Sequence, residues 1–425
     1  MKRTIVPLLA VAVAVAVAIA LVAAPVAALN RAEDEYTRYE LLAPETASFK
    51  IVYDLAVVTP GAKMFFNAIH NTTQVSDLSA IDLMTGAALK ISEVTGQEAR
   101  GAGFKEAELT NHYLRVDLAR PVPADGEVRI RIHKTYKDAP TYHREGDAVV
   151  FTRALTVSRD IVVLPANYEI LAANVPVQVI EQADGRIAAS LMNIYPGAAP
   201  LVLKARAVTA RPAAAPPAAA TPAPAAPADA APREMPLNQV RVTERALQDR
   251  EIVYFLKQPE THAFSLYHDY TASREGEHQY VNVVRAGSAV SEPSATILDT
   301  GEPLKTRTLT GADVVREKIE IPDRVEPDTQ LVLIPFGPVK NGQSLRLRIS
   351  ETYTDPARYA LVDGQLMWHR SFGRPRNDMV LPAGWYLTAS SIPAVITQEP
   401  DGRIRLSFWN PRPDSVDVFV KARRR

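Results

Sequence analysis

Apolar positions along this chain recur every second residue, not every third or fourth. Ile130 and Ile132 alternate with Arg129, Arg131 and His133. Leu345, Leu347 and Ile349 alternate with Arg346, Arg348 and Ser350, and Ile404, Leu406 and Phe408 with Arg403, Arg405, Ser407 and Trp409. Period two puts one face of a segment in a core and the other in water, which is the signature of a half-buried antiparallel strand. The pattern predicts strands over Phe49–Val57, Met64–Ile69, Leu89–Val94, Tyr113–Leu118, Val128–Tyr136, Val149–Leu155, Val175–Glu181, Ile187–Asn193 and Leu201–Ala207. Asp184-Gly185 and Asp401-Gly402 lie between alternating runs. They predict tight hairpins whose two central residues both adopt positive φ. No amphipathic helix of three turns is legible.

The strand pattern occurs twice. Val128–Arg206 and Leu345–Arg423 align without a gap at an offset of 217, with 25 of 79 positions identical; unrelated segments would share on the order of 5. Thr135-Tyr136 and Asp138 return as Thr352-Tyr353 and Asp355, and Lys204-Ala205-Arg206 as Lys421-Ala422-Arg423. Upstream the offset is 215, with Pro44-Glu45-Thr46 returning as Pro259-Glu260-Thr261. Each copy is about 170–180 residues, an ordinary domain size. Between them, from Arg211 to Pro236, Pro and Ala dominate. That composition lacks apolar payload and N–H donors, so it predicts an extended spacer. The expected fold is therefore all-β: two tandem homologous antiparallel β-sandwich domains, residues 29–207 and 237–425, joined by a Pro/Ala-rich linker at 208–236.

Residues 1–28 predict an export signal. Lys2 and Arg3 precede an apolar run from Ile5 to Ala24, and Val26-Ala27-Ala28 puts small residues at a cleavage site. An uncleaved anchor is the alternative, since the run approaches a bilayer's thickness. Cleavage would leave no membrane span and a periplasmic or extracellular protein. The chain has 425 residues, with 48 Lys+Arg against 48 Asp+Glu, which argues against nucleic acid as a partner. Cysteine is absent, so disulfides, thiol catalysis and Cys-ligated metals are excluded.

The short passages of each copy also carry a resemblance. The first has Thr85-Gly86, then Leu114–Leu118, Pro121, Gly126 and Val128–Tyr136; the second has Leu331-Val332-Leu333, Pro338, Gly342 and Leu345–Tyr353. This order resembles the N-terminal β-sandwich domain of M1-type aminopeptidases. That family's catalytic His-Glu-x-x-His appears nowhere in the chain. The resemblance thus implies only the non-catalytic domain type, and no active-site residue carries over.

No catalytic motif is present. The eight His are scattered, and pairs such as His133/His143 or His262/His268/His278 do not have metal-ligand spacing, so solvated His and no metal or cofactor are expected. Acid pairs such as Asp138/Glu145 and Glu351/Asp355 leave glycosidic chemistry open without supporting it. A polar set recurs as Tyr136, Asp138, Tyr142, Arg153 and Tyr353, Asp355, Tyr359, Arg370. Arg153 and Arg370 share strand parity with Phe151 and Trp368 and so point inward; an inward Arg requires a partner, for which Asp138 and Asp355 are the natural candidates. All three Trp, Trp368, Trp385 and Trp409, are in the second copy. Trp409 alternates outward, beside Arg403 and Arg405, with Arg374, Arg376 and Tyr386 as further candidates for the same surface. The C-terminal Arg423-Arg424-Arg425 is expected to be a solvated tail. The expected function is a non-enzymatic binding or scaffolding protein with an unidentified protein or polysaccharide partner at the cell envelope. The alternatives are a carbohydrate-binding module protein, or a hydrolase or peptidase-related protein with an unrecognised active site.

Overall fold

The computed structural model describes residues 35–69, 73–194, 197–208, 251–319 and 325–425. The expected export segment and the linker lie outside them. The protein is all-β. Among the described residues, helix is limited to two one- to two-turn α-helices, Gly96–Gly101 and Gly311–Glu317, and two short 3-10 turns, Pro44–Thr46 and Pro259–Thr261. Contacts divide the chain into two compact units, and the division falls inside the first repeat.

The unit spanning residues 51–134 is built around Leu55, Val116, Val128, Ile130 and Ile132. The last two are the inward positions of the alternation seen in the sequence. A three-stranded sheet of Met64–Ile69, His112–Asp117 and Ile91–Thr95 belongs to this unit. Its helix starts on a capping box, with Thr95 accepting from the Glu98 backbone N–H and Glu98 reaching back. Gly96 follows because a Cβ there would lie 2.0 Å from the Glu108 carbonyl oxygen.

The other unit, 38–50 with 135–425, holds the rest of the first repeat and the whole second one. In the second repeat the sheet element Ala263–Ala272 pairs with Leu345–Thr354 over its full length, above a core of Val332, Ile334, Leu347 and Ile349. The helix Gly311–Glu317 repeats the capping box with Thr310 and Asp313, and Gly311 repeats the close approach, 2.0 Å from the Glu326 carbonyl oxygen.

The two hairpins form, with a different turn. Gln182 N–H donates to the Arg186 carbonyl at 2.8 Å, enclosing three residues, and Glu399 to Arg403 does the same at 2.8 Å. Only the glycines, Gly185 at φ 81° and Gly402 at φ 83°, are left-handed there; Asp184 and Asp401 are not. This corrects the expectation of a two-residue primed turn. One left-handed Gly closing a three-residue loop meets the same strand twist.

Each hairpin also joins its counterpart. The strand Tyr168–Glu181 of the first repeat runs antiparallel to Ala394–Gln398 of the second. Val177 lies opposite Ala394, its own equivalent at offset 217. Equivalent segments crossing in this way have the geometry of an isologous dimer contact, made here within one chain. The Val179 N–H donates to Ser390 Oγ at 3.0 Å to seal the buried crossing.

The C-terminal arginines are a correction. Arg423 and Arg424 belong to the strand Val416–Arg424. Arg423 pairs with Glu181 at 2.6 Å, Arg424 with Glu260, and Arg425 with Glu169 at 2.9 Å. Pairing with the strand Trp385–Ser390, together with carboxylates from distant segments, holds what composition alone reads as a tail.

Candidate functional site

The recurring polar set forms an aromatic box around an arginine in each repeat. The Arg153 guanidinium lies 5.4 Å from the Tyr39 ring, 6.0 Å from Phe49 and 5.9 Å from Tyr136. Arg370 lies 5.7 Å from Tyr254, 5.4 Å from Phe264 and 5.7 Å from Tyr353. Stacking a weakly hydrated guanidinium on ring faces is what allows it to enter an aromatic core. The pairing with a carboxylate is seen in the second repeat, Arg370 to Asp355 at 3.6 Å. In the first, Thr141 donates to Asp138 at 2.9 Å, and Tyr142 ties its strand to the Leu42 carbonyl at 3.0 Å. Tyr359 makes the equivalent bond to the Lys257 carbonyl. Burial pushes the Tyr136 hydroxyl up to about 12 and raises Tyr142, Tyr353 and Tyr359 as well. These groups stay protonated; Tyr142, Tyr353 and Tyr359 donate hydrogen bonds, and the rings of Tyr136 and Tyr353 wall the arginines.

The acid pairs are occupied structurally. Glu145 is exposed and paired with Lys204 at 2.7 Å. Glu351 is buried, accepting from Asn282 at 2.7 Å and from Tyr353 at 2.9 Å. The equivalent inward position of the first repeat holds Lys134, bound to Asn67. Burial raises the Glu351 carboxyl, against the lowering effect of Asn282, Tyr353 and Arg374. A folded-state value above the unfolded one means the folded protein holds this proton more tightly. The associated stability is present in acid and is lost as pH rises past the ordinary carboxylate range. Glu351→Gln should therefore gain on the parent by on the order of 1 kcal/mol between about pH 4 and about pH 8. Thermal unfolding of both proteins across that range checks this; parallel curves would contradict it.

His268, expected among the solvated histidines, is buried and contacts Arg374 at 3.1 Å. A side chain on the sheet's inner face takes the core's environment whatever its polarity. Among the described residues no group of three or more His, Asp or Glu side chains is arranged to hold a metal.

A concave surface adjoins the crossing of the two repeats. A groove of about 830 Å³ is lined by Trp409, Met192 and Ile194, with Pro176 and Pro393 beside them. Trp409 is 52% exposed, Met192 69% and Ile194 86%. Strand alternation explains this, since Leu191 and Phe408 point inward and leave the next residue outside. Met192 and Trp409 are equivalent at offset 217, as are Ile194 and Pro411 and the two prolines. The groove is thus walled by the same positions of both repeats.

Charges at the rim are satisfied within the protein. Arg376, opposite Trp409 in the ladder, pairs with Glu251 at 2.6 Å. Asp378 pairs with Arg405 at 2.7 Å, and Glu399 also engages Arg405. Of the residues singled out by sequence, Trp409 and Arg376 line the groove. The others are placed elsewhere. Arg403 pairs with Asp401 at 2.7 Å and lies over the Phe255 ring. Arg405 is taken by its two carboxylates. Arg374 meets His268. Tyr386, raised by burial, faces Arg423 from the strand Trp385–Ser390. The sequence reading missed Met192 and Ile194, although the repeat alignment paired Met192 with Trp409.

No family model and no curated protein matches the chain. Among solved structures it is similar to an M1 zinc metallopeptidase from Deinococcus radiodurans, at 11% identity and a TM-score of 0.28, over 41% of this chain and 41% of that one. It is also similar to an aminopeptidase N family protein from Idiomarina loihiensis, at 9% identity and a TM-score of 0.25, over 40% of this chain and 29% of that one. The chain therefore spans less than half the length of either. The likeness is weak and partial, and it falls in the same group of proteins as the resemblance carried by the sequence passages.

Proposed function

We propose that this is an exported, non-enzymatic binding protein that uses the groove beside Trp409 to hold an extended apolar segment of a partner protein at the cell envelope. The observation carrying this reading is the groove itself. It gathers large apolar side chains in the open, while its rim carboxylates and arginines neutralise one another. An apolar trough with self-satisfied charges favours an apolar occupant over an ion or a polar substrate. Rigid Trp and adaptable Met side chains suit such a surface.

The test is affinity capture from an envelope extract with the full-length protein. Trp409→Ala should weaken recovery of the captured protein about tenfold or more, and Met192→Ser should act in the same direction. Thermal unfolding should stay close to the parent, since both side chains are mainly exposed. Equal recovery by parent and variants would remove the groove from the account.

A second reading, a carbohydrate-binding surface, is favoured by the exposed Trp409 next to Arg376, since an open indole stacks on sugar rings. It expects retention on a polysaccharide column that Trp409→Ala abolishes and Ile194→Ser leaves intact. The protein reading expects sensitivity to both substitutions.

A further inference from the structure

A second feature of the same compact unit lies outside the groove. The tight turn Arg285–Ser288 closes with Ser288 N–H donating to the Arg285 carbonyl at 3.0 Å, with Gly287 left-handed at φ 82°. The turn sits against Asp355, to which Ser288 Oγ donates at 2.8 Å. Arg358 donates to the Ala286 carbonyl at 3.3 Å and lies 3.4 Å from the same Asp355 oxygen. Arg370 approaches that oxygen at 3.6 Å, and its buried Nη1 has no hydrogen-bond partner among the described residues. Arg285 completes the group. It is half-buried, and its side chain makes no hydrogen bond or ion pair among the described residues. Its guanidinium is pushed below its ordinary value by burial first and then by Arg370 and Arg358, with Asp355 acting the other way.

Two guanidinium groups, those of Arg358 and Arg370, thus meet one carboxylate, and Arg285 stands on the turn that Ser288 ties to it, so positive charge is in excess at a partly buried place. The first repeat keeps Asp138 and Arg153, but Thr141 stands where the second repeat has Arg358, and its hydroxyl donates to Asp138 at 2.9 Å. Burying like charges together is unfavourable unless an anion completes the set. Planar N–H forks match the oxygens of carboxylate and phosphate groups better than those of any other common ligand. Ala286 and Gly287, at the tip of the turn, are exposed.

We propose that the second repeat carries an oxyanion site, formed by Arg285, Arg358 and Arg370, whose ligand presents a carboxylate or phosphate group. The site shares no residue with the groove, and neither reading depends on the other.

The experiment is thermal unfolding of the full-length protein in inorganic phosphate, in acetate and in chloride at equal ionic strength. Phosphate, acetate or both should raise the midpoint saturably, by a few degrees beyond chloride. The stronger of the two identifies the source of the oxyanion. Arg285→Gln should reduce the response at least about tenfold in apparent affinity, while Arg316→Gln, an exposed arginine of the helix Gly311–Glu317, should leave it unchanged. In chloride alone Arg285→Gln should melt at or above the parent, because it relieves repulsion. A purely structural arginine would give a lower midpoint. The proposal is overturned if all three salts act alike, if Arg285→Gln keeps the response, or if that variant is destabilised in chloride.

Discussion

Trp368→Ala is expected to cost about 3–5 kcal/mol of folding free energy, the range for emptying an aromatic site in a packed core. Trp368 is among the largest fully buried side chains. Its ring lies 5.4 Å from Tyr254, 6.3 Å from Phe264 edge-on and 5.8 Å from Phe372. The cavity would open beside the Arg370 guanidinium, which rests on two of the same rings, so water would reach a cation now held by ring faces. Trp368→Phe is the informative partner. The first repeat has Phe151 at this position, and the indole N–H of Trp368 has no acceptor among the described residues. Losing that donor offsets part of the lost volume, and the cost should stay below about 1.5 kcal/mol. Urea unfolding of the three proteins measures both values. A loss under about 1 kcal/mol for the alanine variant would mean the box is not the core of the second repeat.

Glu169→Ala should destabilise by a similar amount, about 3–5 kcal/mol, for an electrostatic reason. The carboxylate is 1% exposed and binds Arg206 of its own repeat at 3.0 Å. Arg425 of the other repeat donates to both its oxygens at 2.9 and 3.0 Å. Removing it leaves two partly buried guanidinium groups facing each other. The cross-repeat part is separable: a double-mutant cycle between Glu169 and Arg425 should return a coupling of about 1–3 kcal/mol. Additive substitutions would show that the contact closes the ladder without holding it.

Much of the strand layout was legible because alternation is local. Val128–Lys137, Ala148–Leu155 and Ile187–Met192 fall where Val128–Tyr136, Val149–Leu155 and Ile187–Asn193 were expected. The strands Gln74–Asp82 and Tyr142–Glu145 were not foreseen. Both mix polar residues with few buried positions, so their backbone pairing carries them with little apolar signature. Arg159–Val163 was missed for the opposite reason. Four of its five residues are buried, and a run without alternation gives no period to read. Tyr168–Glu181 extends well before the expected Val175 start because it pairs first with Ala199–Ala207, then across to the second repeat.

The candidate site divides in the same way. The outward position of Trp409 and the inward positions of Arg153 and Arg370 follow from parity. The chain's own order also determines that two copies of one pattern exist and that Met192 answers Trp409. Only the tertiary structure decided that these two side chains wall one groove, that Arg405 is consumed by Asp378 and Glu399, and that the turn carrying Arg285 is tied to Asp355 beside Arg358 and Arg370. Side-chain direction is set by neighbours one or two residues away. Proximity across an offset of 217 is set by which strand edges pair, and no local period encodes that choice.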